Sequence, residues 1–174
     1  MEIMDVVDIY FGKEKAGSVI LLVLSGLAVG LGGLFWWQHK AELFQGAIPP
    51  LLVLGLMAGV VGAIIFFRTD SQVEALKKTY HEAAQTFVSE EQGRMSTVNR
   101  NWAFYKWFEI AIIICSLSGL LLASRHDYWV GCALAALVMA TFLLVFDVVS
   151  ERNGRWYAAK LDKLSHALII DSKS

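Results

Sequence analysis

Acidic and basic side chains inside or beside long apolar runs are the residues whose type and spacing could do chemistry. Glu109 and Asp147 each lie within such a run, where an ionisable group is costly unless it pairs or faces a polar cavity. Asp147, Glu151 and Arg155 recur at four-residue spacing and therefore share one face of a helix. The residues predicted to gather at one edge of a membrane are Arg68, Lys106, Glu109, Asp147, Glu151, Arg152 and Arg155.

The sequence leaves three interpretations of this polar cluster open. Ionisable groups in a bilayer usually pair or extend toward water, so the cluster could be an ion-pair lock between helix ends. Alternatively, Glu109 and Asp147 form an ion or proton gate, or the cluster contacts another membrane protein. A transport site is expected near the bilayer midplane, where this chain has mainly small or apolar residues. The ion-pair lock is therefore favoured.

Motifs for catalysis, metal binding or cofactor binding are not recognisable in the sequence. No nucleophile–base pair, phosphate loop or HExxH helix occurs. The histidines lie outside the interiors of the apolar runs and are expected to face water, although His39 and His126 could meet on the outer side of the membrane. Cys115 and Cys132 lie in apolar runs without CxxC spacing, which favours two small buried side chains over a redox pair. The chain is therefore predicted to be a non-enzyme with no metal and no cofactor.

Composition indicates residence in a membrane. The 174 residues are 56% hydrophobic and 18% charged, with a mean hydropathy of +0.53, whereas soluble domains have roughly 25% charged residues. The length fits a single domain. The net charge of −1 carries little information because the charges are segregated along the chain. The lack of a compact basic patch in the sequence argues against a nucleic-acid partner.

Four apolar runs are long enough to cross a hydrocarbon core, which takes roughly 20 helical residues. The predicted spans are residues 16–37, 48–67, 104–124 and 128–149. Continuous apolar sequence favours helices, since the strands of a membrane barrel alternate. Pro49 and Pro50 are expected in the first turn of the second helix, where a missing N–H is tolerated.

Lysine and arginine set the predicted orientation. The connections between spans one and two and between spans three and four carry one basic residue each, Lys40 and Arg125. The connection between spans two and three and the tail after span four are rich in both types. The positive-inside rule then places both termini and the long middle connection in the cytoplasm, and we expect a bacterial inner membrane.

Aromatic residues are predicted to mark the two faces of the membrane. Tryptophan and tyrosine favour the bilayer interfaces, and every tryptophan lies near a predicted boundary. The inner set comprises Trp102, Tyr105, Trp107, Trp156 and Tyr157, and the outer set comprises Trp36, Trp37, Tyr128 and Trp129.

The polar segments 70–103 and 150–170 are predicted to form cytoplasmic amphipathic helices. Asp70 is expected to cap the first of them and Gly93 to break it. Its apolar stripe comprises Val73, Leu76, Tyr80, Ala84 and Phe87. The tail helix is expected to present Trp156 and, on later turns, residues such as Leu164. Residues 1–11 have Ile3, Val6, Val7 and Tyr10 on one face, which predicts a short interfacial helix.

Glycines four residues apart in the first two spans predict close helix packing. Small residues at this spacing let two backbones approach in lipid. The glycines concerned are Gly26, Gly30 and Gly33 in span one and Gly55, Gly59 and Gly62 in span two. Packing of these two helices within one molecule is favoured, and a seam between copies of the chain is the alternative.

Together these features predict an all-α integral membrane protein, a four-helix transmembrane bundle with both termini inside. Its expected function is protein–protein contact in or at the membrane, for example as an immunity-type or regulatory protein. The expected partners are the lipid bilayer and either a second copy or another membrane protein. The alternative is an oligomeric ion channel or ion-coupled transporter with a gate near Glu109 and Asp147.

Overall fold

The computed structural model describes residues 3–38, 41–122 and 125–171, and over these residues it contains four long helices. They are α1 (Ile3–Gln38), α2 (Glu42–Glu82), α3 (Ala84–Leu122) and α4 (Asp127–Asp171). Each helix is long and apolar enough to cross a membrane. The prediction of an all-helical chain with four candidate spans is therefore confirmed.

Each helix runs without a break through both its apolar part and its polar part. We call the end formed by residues 3–15, 68–103 and 150–167 the polar end, and the opposite end the loop end. Long uninterrupted helices are favoured because their hydrogen bonds continue across the boundary at no nucleation cost. The polar segments are therefore extensions of the apolar helices.

Two predicted helix boundaries are wrong. Asp70 does not begin a helix but lies inside α2, where its carboxylate pairs with Lys15 of α1 at 2.6 Å. Gly93 lies in the interior of α3, which tolerates the roughly 1 kcal/mol that a helical glycine costs. The break falls at Ala83, whose backbone is extended (φ −158°, ψ 91°).

The two prolines of α2 also lie deeper than predicted. Because α2 begins at Glu42, Pro49 and Pro50 are inside the helix and not in its first turn. Each removes one backbone donor from the helix.

The helices pack in the order α1, α2, α4, α3. The pair α1–α2 and the pair α3–α4 are hairpins, and α2 packs against α4 to join them. Helices α2 and α4 therefore form the centre, and each contacts all three other helices.

Close packing of α1 on α2 uses the glycines of α2. A Cβ at Gly55 would lie 2.8 Å from the Cβ of Ala28, and one at Gly59 would overlap the Ser25 hydroxyl. At Gly62 a Cβ would lie 3.0 Å from the carbonyl oxygen of Ser18. This glycine stripe faces α1 within one molecule.

The glycines predicted in α1 behave differently. A Cβ placed at Gly26, Gly30 or Gly33 would meet no atom within 4 Å among the described residues, and all three glycines are exposed. The glycine of α1 that faces α2 is Gly32, where a Cβ would lie 3.0 Å from Leu52.

The crossing of α2 and α4 at the loop end depends on two glycines that the predicted packing stripes did not include. A Cβ at Gly46 would overlap the carbonyl oxygen of Tyr128, and a Cβ at Gly131 would overlap that of Leu43. Only glycine permits this reciprocal backbone approach, which favours Cα–H···O contacts between the helices.

The main core lies at the polar end. It is formed by Val6, Val7, Tyr10, Phe11, Phe87, Val88, Met95, Tyr157 and Leu161. Residues of α2, including Val73, Leu76 and Tyr80, pack against it. The apolar face predicted for residues 1–11 is therefore covered by the other helices. A second, smaller core in the apolar half comprises Ala28, Leu51, Leu54 and Met139.

The tail and one aromatic residue are placed differently from the prediction. The buried hydrophobic side chains of the tail are Tyr157 and Leu161, whereas Trp156 and Leu164 are half-buried. Tyr157 has no exposed surface, so it belongs to the core and not to an aromatic belt facing lipid. Its ring stacks on that of Tyr10, with centroids 4.3 Å apart.

Candidate functional site

Five of the predicted cluster residues come together between α3 and α4. Glu109 and Asp147 are 6% and 8% exposed, and their carboxyl groups lie in direct contact. One turn nearer the polar end, Glu151 forms ion pairs with Lys106 and, at 2.6 Å, with Arg155. The structure thus divides this part of the cluster into a pair of acids and a three-residue ion-pair group.

Two predicted members lie elsewhere. Arg68 faces α1, where its guanidinium pairs with Glu14 at 3.4 Å. Arg152 is exposed and forms no ion pair with the residues that the structure describes. Its position, one residue after Glu151, turns it by about 100° around the helix and away from α3.

The two members of the acid pair form no ion pair with each other, and the charge of Lys106 in the neighbouring ion-pair group acts on Asp147. A hydrogen bond between two carboxyl groups requires that one of them carries a proton. Glu109 also has one oxygen, Oε2, that is buried without a hydrogen-bond partner among the described residues. The pair can therefore hold and exchange a proton between α3 and α4.

The ion-pair group beside it is electrostatically satisfied. Glu151 lies outside the predicted spans, and the hydrogen bond from Lys106 lowers the pKa of its carboxyl, with Arg155 adding to the effect. The carboxylate accepts one contact on each oxygen, from Lys106 on Oε2 and from Arg155 on Oε1. This group ties the polar ends of α3 and α4 together.

A second buried polar cluster lies in the polar end and was not predicted. Glu91 is 1% exposed, and its two oxygens accept hydrogen bonds of 2.6 and 2.7 Å from Arg94. The guanidinium of Arg94 lies over the ring of Phe11, 5.3 Å from its centroid. The hydroxyl of Tyr157 is buried without a hydrogen-bond partner among the described residues, and the charge of Glu91 acts on it.

Burial determines the charge states in this second cluster. It raises the pKa of Tyr10 to about 12 and that of Tyr157 further, so both phenols stay neutral. Burial alone would lower the pKa of Arg94, but the hydrogen bonds with Glu91 hold it above its ordinary value. Burial raises the pKa of Glu14, against the opposing effect of Arg94 and Arg68.

The signals for this second cluster in the sequence are weak. The spacing of three between Glu91 and Arg94 fits a helical ion pair, but it lies in a polar stretch that looks solvated. The stack of Tyr10 on Tyr157 joins the two ends of the chain, so no local pattern indicates it.

Metal-binding groups are not assembled within the described part of the chain. No set of three or more histidine, cysteine, aspartate or glutamate side chains lies close enough to hold an ion there. His39 lies outside the described residues, and His126 is exposed. Cys115 and Cys132 are free thiols, exposed and half-buried respectively, and both lie in the apolar parts of α3 and α4.

We expect Glu91→Gln to lower the free energy of unfolding by about 3 kcal/mol, because it leaves the Arg94 charge without its buried partner. The measurement is equilibrium unfolding in mixed detergent micelles, followed by circular dichroism. Glu82→Gln, which removes an exposed carboxylate 3.9 Å from Lys78, should change stability by less than about 0.5 kcal/mol. Equal losses in the two variants would contradict a structural role for the Glu91–Arg94 pair.

Comparisons with known proteins assign no family to the chain. It matches no protein-family model, no curated protein sequence and no solved structure. The function proposed below therefore depends on the contacts of the chain itself.

Proposed function

We propose that the protein acts by non-covalent contact with another transmembrane helix, and that the contact surface is the open glycine face of α1. This face comprises Gly26, Gly30 and Gly33, which are exposed and leave room for a neighbouring helix. The surface at Gly55, Gly59 and Gly62 of α2, by contrast, is already covered by α1. The proposal rests on this difference: α1 covers the glycine stripe of α2, whereas no described helix covers the glycine stripe of α1.

Helix association in lipid favours this kind of surface. Small residues on one face let two backbones come close enough for dispersion contacts along their length. The face is bordered by exposed Val23 and Leu27, which can pack around an approaching helix. The partner is a second copy of the chain or another membrane protein, as in a regulatory or immunity-type protein; the immunity-type example is an analogy from size and topology.

We also infer that the polar end lies in the cytoplasm of a bacterium, with both termini inside, in the inner membrane. The support is the asymmetry of lysine and arginine between the two ends of the bundle. In a chain without its native cysteines, Ser89→Cys should react with a membrane-impermeant maleimide only after cells are permeabilised. Ala41→Cys, at the loop end, should react in intact cells, and the reverse pattern would contradict this orientation.

We expect Gly30→Leu to abolish self-association or partner capture without loss of folding. The Cβ of the leucine would meet no atom of the described bundle within 4 Å, and the side chain would occupy the surface that a second helix would use. Native mass spectrometry and affinity capture from mild detergent are the measurements, with circular dichroism as the folding check. Ala111→Leu, which introduces the same side chain at an exposed position of α3, is the control.

Two outcomes would contradict the proposal. One is a wild-type protein that is monomeric and captures no partner under these conditions. The other is a Gly30→Leu variant that associates as well as Ala111→Leu. Either result would show that the glycine face of α1 is not the contact surface.

A second candidate function is an ion channel or ion-coupled transporter, and the acid pair of Glu109 and Asp147 favours it. Two adjacent buried carboxyl groups can pass a proton from one to the other, as the members of a proton relay do. In liposomes, Glu109→Gln and Asp147→Asn should each abolish ion or proton flux while the helical content is retained. Asp127→Asn, at an exposed position of the loop end, should leave flux unchanged, and absence of flux in the wild type would exclude this candidate.

A further inference from the structure

An exposed stripe of α4 runs from the apolar half of the bundle into the polar end. Its residues are separated alternately by three and four positions, so they lie on one face of the helix. The stripe, which we call the α4 stripe, comprises Val138, Thr141, Val145, Val148, Arg152 and Arg155, all of them exposed. Its first four residues lie within the predicted span 128–149, and the two arginines follow the end of that span. The α4 stripe is therefore uncharged along the membrane and basic at the membrane surface.

The uncharged part of the stripe offers a surface to a hydrocarbon chain. Val138, Val145 and Val148 are each about half exposed. The hydroxyl of Thr141 donates to the carbonyl oxygen of Leu137 at 2.7 Å, so it is already paired within the helix. An acyl chain can therefore lie along these residues without leaving a polar group unsatisfied.

Both arginines lie at the height of the lipid headgroups. Arg152 and Arg155 follow the end of the predicted span by three and six residues, which is about 4.5 and 9 Å along a helix. The headgroup layer is roughly 5–8 Å thick on each side of a bilayer. Arg155 points back toward the membrane, because its guanidinium contacts Glu151, one turn earlier, at 2.6 Å. Side chains on α4 lean toward its N-terminal, membrane side, which places the Arg152 guanidinium in the same layer.

Positive charge at this place is not balanced by the protein. Arg152 forms no ion pair with the described residues, and no acid occupies a position three or four residues before or after it. Arg155 shares the carboxylate of Glu151 with Lys106, so three basic side chains face one acid, which leaves a net charge of +2. The side chain of Arg155 is 70% exposed, so its other N–H groups are accessible. Like charges one helical turn apart repel each other, and an anion between them would relieve the repulsion.

We propose that the α4 stripe binds an anionic phospholipid from the leaflet on the polar side of the membrane. The phosphate oxygens accept hydrogen bonds from the guanidinium groups of Arg152 and Arg155, a pairing for which the planar guanidinium is well suited. One acyl chain lies along Val148 and Val145. The lipid thus supplies the negative charge that the two arginines lack and covers the exposed valines beside them.

Headgroup charge distinguishes this lipid from the zwitterionic ones. The glycerol headgroup of phosphatidylglycerol adds no cation to the phosphate, so the lipid is negative as a whole. Phosphatidylethanolamine and phosphatidylcholine each carry an ammonium group beside the phosphate, and a site of net positive charge repels it. Phosphatidylglycerol is therefore the lipid that the α4 stripe favours.

The first experiment uses the wild-type protein and needs no variant. Purified protein is mixed with phosphatidylglycerol, phosphatidylethanolamine or phosphatidylcholine of identical acyl chains, and native mass spectrometry measures the bound fraction. We expect phosphatidylglycerol to bind about tenfold more tightly than either zwitterionic lipid, from the attraction of two basic side chains near the surface. Equal binding of the three lipids would overturn the proposal.

Variants of the two arginines then locate the contact. Arg152→Gln should lower the preference for phosphatidylglycerol about fivefold, the effect of one basic residue near an anionic lipid. The fold should be retained, since Arg152 is exposed and forms no ion pair with the described residues. Arg155→Gln should lower the preference by a similar factor while Lys106 stays paired with Glu151. Circular dichroism checks the folding of both variants.

Arg100→Gln is the matched control. Arg100 is an exposed arginine of α3 that lies four residues outside the predicted span 104–124, so the same charge is removed at a similar height on the bundle. The preference for phosphatidylglycerol should be that of the wild type. An Arg100→Gln variant that loses as much preference as Arg152→Gln would overturn the assignment to the α4 stripe, because the effect would then come from surface charge in general.

Soluble glycerophosphoglycerol distinguishes a bound lipid from a bound phosphodiester alone. Because the acyl chain contributes through Val145 and Val148, the soluble compound at the lipid's concentration should neither bind nor displace phosphatidylglycerol. Binding as tight as that of the phospholipid would overturn the assignment to a lipid. These measurements use isolated protein, so their outcome is independent of the helix-contact function and of the orientation proposed above.

Discussion

The acid pair and the ion-pair group of the molecule both depend on the contact between α3 and α4. Asp147, Glu151, Gly154, Tyr157 and Leu161 are separated by three or four residues, so they lie on one face of α4. This face meets the acid Glu109, then Lys106, and then the side chains of Asn99 and Met95. Gly154 lies in this contact, where a Cβ would be 3.4 Å from Asn99 Oδ1, an ordinary van der Waals distance. A single helix face thus carries the acid pair, the ion-pair group and the aromatic core.

Glycine contacts around α2 set the rest of the arrangement. Its glycines bring α1 close along the apolar half, and Gly46 with Gly131 brings α4 close at the loop end. Since α2 lies between these two helices, it cannot also present a glycine surface to lipid. The open face therefore remains on α1, the outermost helix of that hairpin.

The sequence predicts the helices of this fold better than it predicts which helix faces pack together. Run length and composition are local properties, so the four apolar helices and the stripe of Val73, Leu76 and Tyr80 could be predicted. The boundaries at Asp70 and Gly93 could not, because capping and glycine preferences of about 1 kcal/mol are overridden when a long helix packs along its whole length. Spacing likewise identifies the glycine stripes of α1 and α2. Only the positions of the neighbouring helices determine which of the two stripes another helix covers.

In the candidate site, too, the features set by a single helix could be predicted, whereas those set by packing between helices could not. Charge and depth predicted Glu109 and Asp147, and helical spacing joined Glu151 and Arg155 to them, because these relations follow from one helix at a time. Depth alone predicts Arg68 in the cluster, and a position about one turn after Asp147 predicts Arg152. Neither property specifies the direction in which a side chain points.

Continuity of the helices has a mechanical consequence for any of the functions considered. Helix α1 runs unbroken from Ile3 to Gln38, so the open glycine face and the buried residues Val7 and Phe11 belong to one rigid rod. Packed cores resist continuous deformation because their side chains interlock. A partner helix that displaced α1 in the membrane would therefore have to shift the stack of Tyr10 on Tyr157 as well. A contact made within the apolar half is thus transmitted to the polar end, where the chain carries most of its charged surface.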